Sequence, residues 1–335
     1  MKLLVTGGAG FIGSNFIRYI LAKHQDFFVV NYDKLTYAGN MDNLRDIENN
    51  QRYKFMKGDI SDAGAVSAVC ANEKPDALVN FAAETHVDRS IIDPMIFLQT
   101  NIIGTQVLLA ATKTHGLRKM VQISTDESYG VNETGEFDEY SKLTPRSPYA
   151  ASKAAAEHLC HAHFITYQTP VVVTHMANAL GPYQYPEKLI PLAITNLIEN
   201  KKVPVYGDGL QIREWIYVDD FASAVDAILQ NGKVGEVYNT GTGIRKTNLQ
   251  TISAILKLMG QDESRIEHVK ARPGHDRRYA VNSEKIRREL KWQPKYNFEQ
   301  ALEKTVQWYK LNPEWWQKIK SGEYLEYYKK QYVNH

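Results

Sequence analysis

The stretch KLLVTGGAGFIG, residues 2–13, joins a short apolar run to a turn with glycine at Gly7, Gly10 and Gly13. An amphipathic segment follows directly, so the pattern predicts a strand, a tight turn and a helix. Glycine lets the turn be tight and lets backbone N–H groups approach a pyrophosphate at the positive end of the helix. The stretch therefore predicts a phosphate-binding turn at the start of a Rossmann-type unit.

Asp33 supports this interpretation, because it ends the second apolar run, FFVVNYD. A carboxylate about twenty residues beyond the last glycine of such a turn accepts hydrogen bonds from ribose hydroxyls. The same carboxylate repels a 2′-phosphate. The sequence therefore predicts a dinucleotide site that takes NAD rather than NADP.

Short apolar runs alternate with longer amphipathic segments up to about residue 180. The runs predicted as strands are KLLVTG, FFVVNYD, YKFMKGD, ALVNFAA, KMVQIST and PVVVTHM. Alternation of this kind predicts an α/β fold with a doubly wound parallel sheet, since parallel strands need crossover connections. After Gly181 proline and glycine become frequent and the later strands are short. We expect an NAD-binding Rossmann domain at 1–180, a smaller mixed α/β substrate-binding lobe at 181–312 from which the chain crosses back to the first domain, and a helical tail at 313–335.

Composition narrows the setting. The 335 residues carry 40 basic and 38 acidic side chains, a formal charge of +2, which gives no reason to expect nucleic acid or an anionic membrane as a partner. The two cysteines, Cys70 and Cys160, lie far apart, and we find no apolar run of the roughly twenty residues that span a bilayer. The expectation is a cytoplasmic protein.

Two adjacent acidic residues, Asp126 and Glu127, follow Thr125 at the end of the apolar run KMVQIST. Desolvating two neighbouring carboxylates is costly, so their presence at a buried strand end calls for a function. Tyr149 and Lys153 are four residues apart and share a face of a helix that Ser147–Pro148 would start. A phenol must lose about three pKa units, worth about 4 kcal/mol, to act as a base near neutrality. A neighbouring ammonium and a nicotinamide cation could supply that stabilisation.

These motifs carry a resemblance. TGGAGFIG, STDE and YxxxK together resemble the extended short-chain dehydrogenase/reductase superfamily. Longer strings, FAAETHVDRSI, GPYQYPEKLIPL, YGDGLQIREWIYVDD and RPGHDRRYA, resemble the nucleoside-diphosphate-sugar 4,6-dehydratases. The resemblance covers residues 1 to about 310. It implies a hydro-lyase that uses NAD to convert dTDP-glucose, or a related nucleotide sugar such as UDP-glucose, into a 4-keto-6-deoxy sugar.

The resemblance also implies a role for each reactive side chain. Tyr149, assisted by Lys153 and Thr125, takes the proton of the sugar C4 hydroxyl while hydride leaves C4. Once C4 is a ketone, Glu127 takes the C5 proton and protonated Asp126 donates to the departing C6 hydroxyl. Such opposite duties require that the pKa values of the two carboxyls be driven apart. This interpretation explains why the acidic pair is tolerated.

Binding residues follow from the same resemblance. The expected NAD-binding set is Gly7, Gly10, Phe11, Ile12, Gly13, Asp33, Asp59, Ile60, Ala82, Tyr149 and Lys153. The expected nucleotide-sugar set is His86, Asn178, Lys188, Leu189, Pro204, Tyr206, Arg213, Asn248, Arg272 and His275. The planar guanidinium groups of the two arginines suit phosphate oxygens. His86 follows the fourth predicted strand, at the sheet edge where open α/β folds bind ligands.

The chain departs from the family pattern next to the expected sugar site. It reads ANALGP where these dehydratases usually read SNNYGP, so Ala177, Ala179 and Leu180 replace polar or aromatic groups. Ser128 stands where the family has Val, and Thr85 where it has Ser. The acid, the base and the Tyr–Lys pair are unchanged.

Three other functions remain open at this point. A nucleotide-sugar 4-epimerase shares the fold, NAD and Tyr149, but its pattern lacks the Asp–Glu pair. A nucleotide-sugar decarboxylase carries the Glu without the Asp. A catalytically silent, NAD-binding regulatory relative would show damage to the acid, base or Tyr–Lys set, and none is visible. Asp126 is therefore the residue that discriminates among them.

Two surface features complete the expectations. EHLCHAHF, residues 157–164, holds several potential metal ligands, yet on a helix they point in several directions and no His–x₃–His pair exists, so we expect no metal. A polar outer face or a subunit contact is the preferred interpretation. The resemblance implies that helices near 95–114 and 148–167 join two subunits, so we expect a homodimer.

Overall fold

The computed structural model describes residues 1–271 and 274–321. Within these ranges the strands are, in chain order, β1 (Lys2–Thr6), β2 (Phe28–Asp33), β3 (Tyr53–Lys57), β4 (Ala77–Asn80), β5 (Lys119–Thr125), β6 (Val171–Met176), β7 (Asn178–Leu180), β8 (Val203–Tyr206), β9 (Ile212–Tyr217), β10 (Val237–Thr240), β11 (Arg245–Thr247) and β12 (Ile266–Val269). The α-helices are α1 (Phe11–Lys23), α2 (Ala63–Glu73), α3 (Val87–Ile92), α4 (Met95–Phe97), α5 (Gly104–Thr114), α6 (Pro148–Tyr167), α7 (Leu189–Ile198), α8 (Val218–Asn231), α9 (Asn248–Leu258), α10 (Glu284–Leu290), α11 (Phe298–Leu311) and α12 (Pro313–Ile319).

A seven-stranded sheet forms the centre of the molecule, in the order β10-β6-β5-β4-β1-β2-β3. Every pairing in it is parallel. The strand order reverses between β1 and β4, the position at which open α/β sheets bind ligands beyond the carboxyl ends of their strands. The predicted α/β, doubly wound, Rossmann-type sheet is confirmed, and all six predicted strands belong to it.

Helix α1 packs on the sheet through the apolar face that the sequence predicts. Phe16, Ile17 and Ile20 are fully buried and Leu21 is nearly so, all in one cluster with the strands beneath. Burying each such side chain contributes about 1.5–3 kcal/mol. The helical spacing of these residues therefore fixes which face of α1 meets the sheet.

The seventh strand, β10, comes from beyond residue 180. It pairs with β6, and α8 packs Phe221, Val225 and Ile228 into the same core as α1. A second core holds β8, β9, α7, α9 and α11, with Trp215 and Trp316 among its buried residues. Two smaller sheets, β11-β9-β7 and β12-β8, belong to this second part. The chain therefore visits the first core, leaves it and returns.

One helical stretch, Met95–Thr114, is long and apolar enough to cross a membrane by length and composition, and 44% of its most apolar window is buried. It comprises α4, a π-helical segment at Leu98–Ile103, and α5. The π-helical segment carries Asn101, whose side chain bonds both backbone groups of Glu84 and the Ser152 hydroxyl. Because the buried Asn101 amide is hydrogen-bonded to the loop after β4 and to α6, this stretch is a helix of the folded core.

The structure describes only part of the predicted C-terminal helical tail. Helix α12 begins at Pro313, and its Trp316 is fully buried. Trp315 donates its indole N–H to Asn43 Oδ1 at 2.8 Å, which ties this helix to the first domain. The remainder of the predicted tail, residues 322–335, lies outside the described residues.

Candidate active site

A cavity of about 330 Å³ opens at the carboxyl ends of β1, β2, β4 and β5. Its size falls within the range of small-molecule pockets. The predicted residues that line it are Gly7, Gly10, Phe11, Ile12, Gly13, Asp33, Asp59, Ile60, Ala82, Thr125, Asp126, Glu127, Tyr149, Asn178, Lys188 and Leu189. The structure thus brings the glycine turn, the acidic pair and Tyr149 to one cavity.

The glycine turn leaves room for a ligand because side chains are excluded from it. Gly7 has φ +71°, and a Cβ there would collide with the backbone of Ala82. A Cβ on Gly13 would collide with the carbonyl of Gly7. The backbone of this turn therefore requires glycine at both positions, as the spacing predicts.

Asp33 closes one end of the cavity. Its carboxylate accepts hydrogen bonds from Ala9 N at 2.9 Å and Leu35 N at 2.8 Å, and burial raises its pKa. Each carboxylate oxygen retains a further lone pair for a ligand hydroxyl. Nearby, burial alone would raise the pKa of Asp59, but Lys34 at 2.7 Å and the hydrogen bonds of Ser61 lower it.

The acidic pair lies in a 3₁₀ turn, Asp126–Tyr129, that begins where β5 ends. The hydroxyl of Thr125 accepts a hydrogen bond from Glu127 N at 3.3 Å, which caps the turn. Asp126 is 2% exposed, and burial, the charge of Glu127 and that of Glu214 raise its pKa well above the ordinary value, although Arg213 opposes this. Within the described residues its Oδ2 atom has no hydrogen-bond partner. The raised pKa therefore favours the neutral carboxylic acid form of Asp126, and one of its oxygens is uncommitted among the described residues.

Glu127 has a different environment. It is half-buried and accepts a hydrogen bond from the Tyr279 hydroxyl at 3.2 Å. The same Tyr279 hydroxyl lies 2.7 Å from Asp276, so its single proton serves one of the two carboxylates at a time. The guanidinium of Arg213 lies 4.3 Å from the Tyr279 ring. The two adjacent carboxyls thus differ in burial and in partners, which is what an acid and a base in one site require.

Helix α6 carries the other reactive pair. Ser147 caps its first turn by accepting from Ala150 N, and Pro148 occupies the first helical position, as predicted. Burial and the charge of Glu127 raise the pKa of Tyr149, while a hydrogen bond with Thr125 lowers it. Lys153 donates to the carbonyl of Ile123 at 2.6 Å, and burial lowers its pKa to about 8. The chain alone therefore does not make Tyr149 a base at neutral pH, and a bound cation beside the phenol has to contribute.

The predicted nucleotide-sugar residues divide into two groups. Asn178, Lys188 and Leu189 line the cavity, and the Lys188 ammonium donates to Thr85 O at 3.1 Å. The other described members lie behind the wall or farther along the second lobe, and these are His86, Pro204, Tyr206, Arg213, Asn248 and His275. Arg272 lies outside the described residues. That the second group binds the nucleotide sugar stays a prediction.

Several of the more distant residues are nonetheless linked to one another. The Tyr206 hydroxyl donates to Asp88 at 3.1 Å, and its ring meets that of His275 edge-on at 5.8 Å. Arg213 donates to the carbonyls of Ile212 and Asp276. The contact between Tyr206 and Asp88 joins the second lobe to α3, which follows β4.

A bridge between the two halves of the cavity wall was not predicted from sequence. Tyr37, on the loop after β2, donates to Glu187 at 3.0 Å from the segment before α7. The Arg89 guanidinium lies 3.9 Å from the Tyr37 ring and its Nε 3.5 Å from Glu187. Glu84 also lines the cavity, and burial raises its pKa to about 7. These residues are far apart in the chain and share no motif, so pairwise spacing could not find them.

Four of the departures from the family pattern are buried, whereas the fifth, Thr85, is exposed and lines the cavity. Ala177 and Ala179 pack in the first core and Leu180 in the second. Ser128 is fully buried, and within the described residues its hydroxyl has no hydrogen-bond partner. Among those residues there is also no group of three or more His, Cys, Asp or Glu side chains that could hold a metal. Cys70 and Cys160 are buried free thiols.

Comparisons with known proteins agree with this geometry. Residues 4–305 match the family model described as GDP-mannose 4,6 dehydratase. The chain is 45% identical to dTDP-glucose 4,6-dehydratase 1 of Escherichia coli K12, with 99% of each chain covered. It is 48% identical to the Bacillus anthracis dTDP-glucose 4,6-dehydratase solved in complex with NAD, with a TM-score of 0.90 over 96% of this chain and 100% of the other. The Streptomyces venezuelae dTDP-glucose 4,6-dehydratase, also solved with NAD bound, gives 44% identity and a TM-score of 0.93 over the same shares. The chain belongs to the dTDP-glucose 4,6-dehydratase family.

Proposed function

We propose that this chain is an NAD-dependent hydro-lyase that converts dTDP-glucose into dTDP-4-keto-6-deoxyglucose. The observation that carries the proposal is Asp126, a buried carboxyl with a raised pKa, directly beside Glu127 and in the same cavity as Tyr149. An epimerase has no use for that acid. Full-length similarity to dTDP-glucose 4,6-dehydratases supports the same conclusion.

The residues present fit NAD. The glycine turn that begins at Gly7 leads into α1, and a Cβ at Gly7 or Gly13 would collide with backbone atoms. Asp33 lies at the far end of the same cavity, as a ribose partner should. When bound, NAD⁺ accepts hydride from the sugar C4 and returns it at C6.

The first step requires a base at the C4 hydroxyl, and we assign this role to Tyr149. Its hydrogen bond with Thr125 favours the phenolate, whereas burial and Glu127 oppose it. Lys153, one helical turn away on α6, contributes positive charge while it stays protonated. Thr125 and Tyr149 together would hold the C4 oxygen as it becomes a carbonyl.

The second step is elimination, and the carboxyl pair suits it. The C5 proton becomes acidic only when C4 is a ketone, so oxidation precedes elimination. Glu127, which accepts a hydrogen bond from Tyr279, takes that proton. Asp126 donates its proton to the C6 hydroxyl, which leaves as water. Glu127 then returns its proton to C5. The proton gained by Tyr149 and the one lost by Asp126 cancel over a turnover.

The second lobe is proposed to hold the nucleotide. Residues 1–180 would bind NAD, and residues 181–312 would contribute most of the contacts to the nucleoside diphosphate. We retain the full predicted set for this role: His86, Asn178, Lys188, Leu189, Pro204, Tyr206, Arg213, Asn248, Arg272 and His275. Support comes from Asn178, Lys188 and Leu189, which continue the cavity wall toward this lobe.

Parallel incubations with dTDP-glucose and UDP-glucose test the proposal. Mass spectrometry should show the dTDP sugar losing the mass of one water, with no net change in reduced nicotinamide. A product of unchanged mass would indicate an epimerase and contradict the proposal. Faster loss of water from the UDP sugar would overturn the substrate assignment but not the reaction.

We further propose a cytoplasmic homodimer. Apolar side chains are exposed along α3 and the Met95–Thr114 stretch, including Ile92 at 55% and Met95 at 67%, and Ile165 on α6 is 59% exposed. A second copy of this chain would cover such a surface at the expected helix pair. Analytical ultracentrifugation should find twice the 38.2 kDa chain mass at micromolar concentration, and a monomer would contradict the proposal.

A further inference from the structure

Glu157 lies one helical turn beyond Lys153 on α6, just as Lys153 lies one turn beyond Tyr149. Residues four apart share a helix face, and these three side chains form a row that is 9%, 5% and 7% exposed, respectively. Of the segment interpreted from sequence as a polar outer face, His158 and His161 are exposed, whereas Glu157 points into the protein. The row therefore continues inward from the candidate active site.

The neighbouring strand β6 fixes the Glu157 carboxylate. His175 Nε2 lies 2.7 Å from Glu157 Oε2, and the histidine is fully buried. The Ser124 hydroxyl donates to the same oxygen at 3.4 Å. With its proton on Nε2 the ring donates to Glu157, and the Tyr129 hydroxyl lies 2.9 Å from both His175 Nδ1 and Asn239 Oδ1. Charge-assisted hydrogen bonds of this kind hold a carboxylate in one orientation.

Lys153 needs such a partner. The Lys153 ammonium donates a hydrogen bond to the Ile123 carbonyl, which supplies a dipole and not a full charge. Burial lowers the lysine pKa to about 8, and the groups that oppose burial are Cys160 and Glu157. Burial raises the pKa of the Cys160 thiol, so that thiol stays neutral at the pH of interest. Glu157 is then the member of this pair that carries negative charge.

We propose that Glu157, fixed by His175, is a positioning residue that keeps a negative charge behind Lys153, so that the lysine remains an ammonium while Tyr149 takes the C4 proton. This inference rests on the proposed function, because the charge of Lys153 matters only if Tyr149 is the base. Glu157 touches neither the cavity nor the sugar and acts through the lysine.

Other titratable groups surround the row. Asp126 and Glu127, from the turn after β5, act on Tyr149, and Glu139, from the loop before α6, acts on His175. Glu157, Glu139 and Asp138 act on Tyr129, and the buried Lys285 acts on Glu139. A change of Glu157 to glutamine removes one charge and leaves all of these in place.

The experiment combines two readouts. In protein labelled with ¹³C-lysine, the Lys153 Cε resonance, assigned by its loss in Lys153→Met, is followed from pH 6 to pH 11 without substrate. In single turnovers with the nucleotide sugar, the rate of C4 oxidation is followed over the same range. For Glu157→Gln we expect both the Lys153 midpoint and the alkaline limb of the rate profile to fall by about one pH unit.

Two further variants serve as controls. Glu139→Gln makes the same chemical change at a carboxyl that acts on His175 and not on Lys153, and should leave both midpoints at the wild-type pH. Glu157→Asp keeps the charge and should therefore keep both midpoints close to the wild-type pH. This variant still tests the inference if Glu157→Gln is unstable. An unchanged Lys153 midpoint in Glu157→Gln, or a full shift in Glu157→Asp, would overturn the inference. A wild-type protein that releases no water from the sugar would instead contradict the proposed function, since the resonance is measured without substrate.

Discussion

Replacing Asp126 by asparagine should separate oxidation from elimination. Asp126 is buried and its raised pKa favours the neutral acid, so the amide changes neither charge nor shape to any large extent. What is lost is the proton that Asp126 donates to the C6 hydroxyl. A positioned general acid contributes about 10²–10⁴-fold. At about 1.36 kcal/mol per tenfold, the elimination barrier should rise by about 3–5 kcal/mol.

Single-turnover absorbance of the reduced nicotinamide, followed alongside product mass, measures both steps. In Asp126→Asn the reduced nicotinamide should form at a rate near that of the wild type and then persist, because water is not lost and hydride has no acceptor at C6. Equal slowing of both steps would refute the assignment of Asp126 as the acid. Asp226→Asn is the matched control, since Asp226 is equally buried but pairs with Lys23 and His24 away from the cavity. It should leave the ratio of the two rates unchanged.

The same variant has a stability consequence with a definite sign. Burial raises the folded-state pKa of Asp126 above its unfolded value of about 4, so the folded chain binds a proton that the unfolded chain releases. The resulting stabilisation is complete below about pH 4 and is lost as the pH rises toward the folded-state pKa. Asparagine has no proton to lose. Asp126→Asn should therefore melt at a higher temperature than the wild type at pH 7, and the difference should shrink as the pH falls to about 4.

Three further predictions concern the cofactor side of the cavity. Tyr149→Phe should slow formation of reduced nicotinamide by about 10²–10⁴-fold while NAD still binds, as stopped-flow absorbance and calorimetry would show; undiminished oxidation would exclude the phenol as base. Gly7→Ala should weaken NAD binding and lower the melting temperature, because φ is +71° and the new Cβ would meet Ala82. Tyr37→Phe removes the buried hydrogen bond to Glu187 that joins the two walls of the cavity and should speed NAD release, measured by exchange with labelled NAD; an unchanged release rate would show that the bridge does not retain the dinucleotide.

The sequence predicts the sheet and the reactive centre well because both depend on local pattern. Glycine spacing, strand alternation and the position of Asp33 specify the cofactor half through residues close together in the chain. Asp126 is recognisable because an acidic pair at the end of a buried strand is costly without a function. Each of these features needs only a short window of sequence and a general rule of geometry.

The rest of the site depends on contacts between distant segments. Tyr279, whose hydroxyl hydrogen-bonds to Glu127, lies far along the chain from it, and no periodic pattern in the sequence predicts this contact. The sequence pattern assigns Glu157 to a polar helix face, whereas the fold places His175 of β6 beside it. The bridge between Tyr37 and Glu187 likewise arises only when the second lobe folds against the first. Such pairs are set by packing, which sequence spacing does not encode.

The order of the strands along the chain leaves one edge of the sheet unpaired during synthesis on the ribosome. Strand β6 emerges long before its outer neighbour β10, because β7, β8, β9 and two helices are made in between. At about 5–20 residues per second, several seconds pass before that neighbour arrives. Meanwhile Val171, Val172 and Val173 form an unprotected edge, open to pairing with another nascent chain. The nucleotide-binding sheet is thus finished only when Thr240 has been synthesised, well after every strand of the predicted first domain.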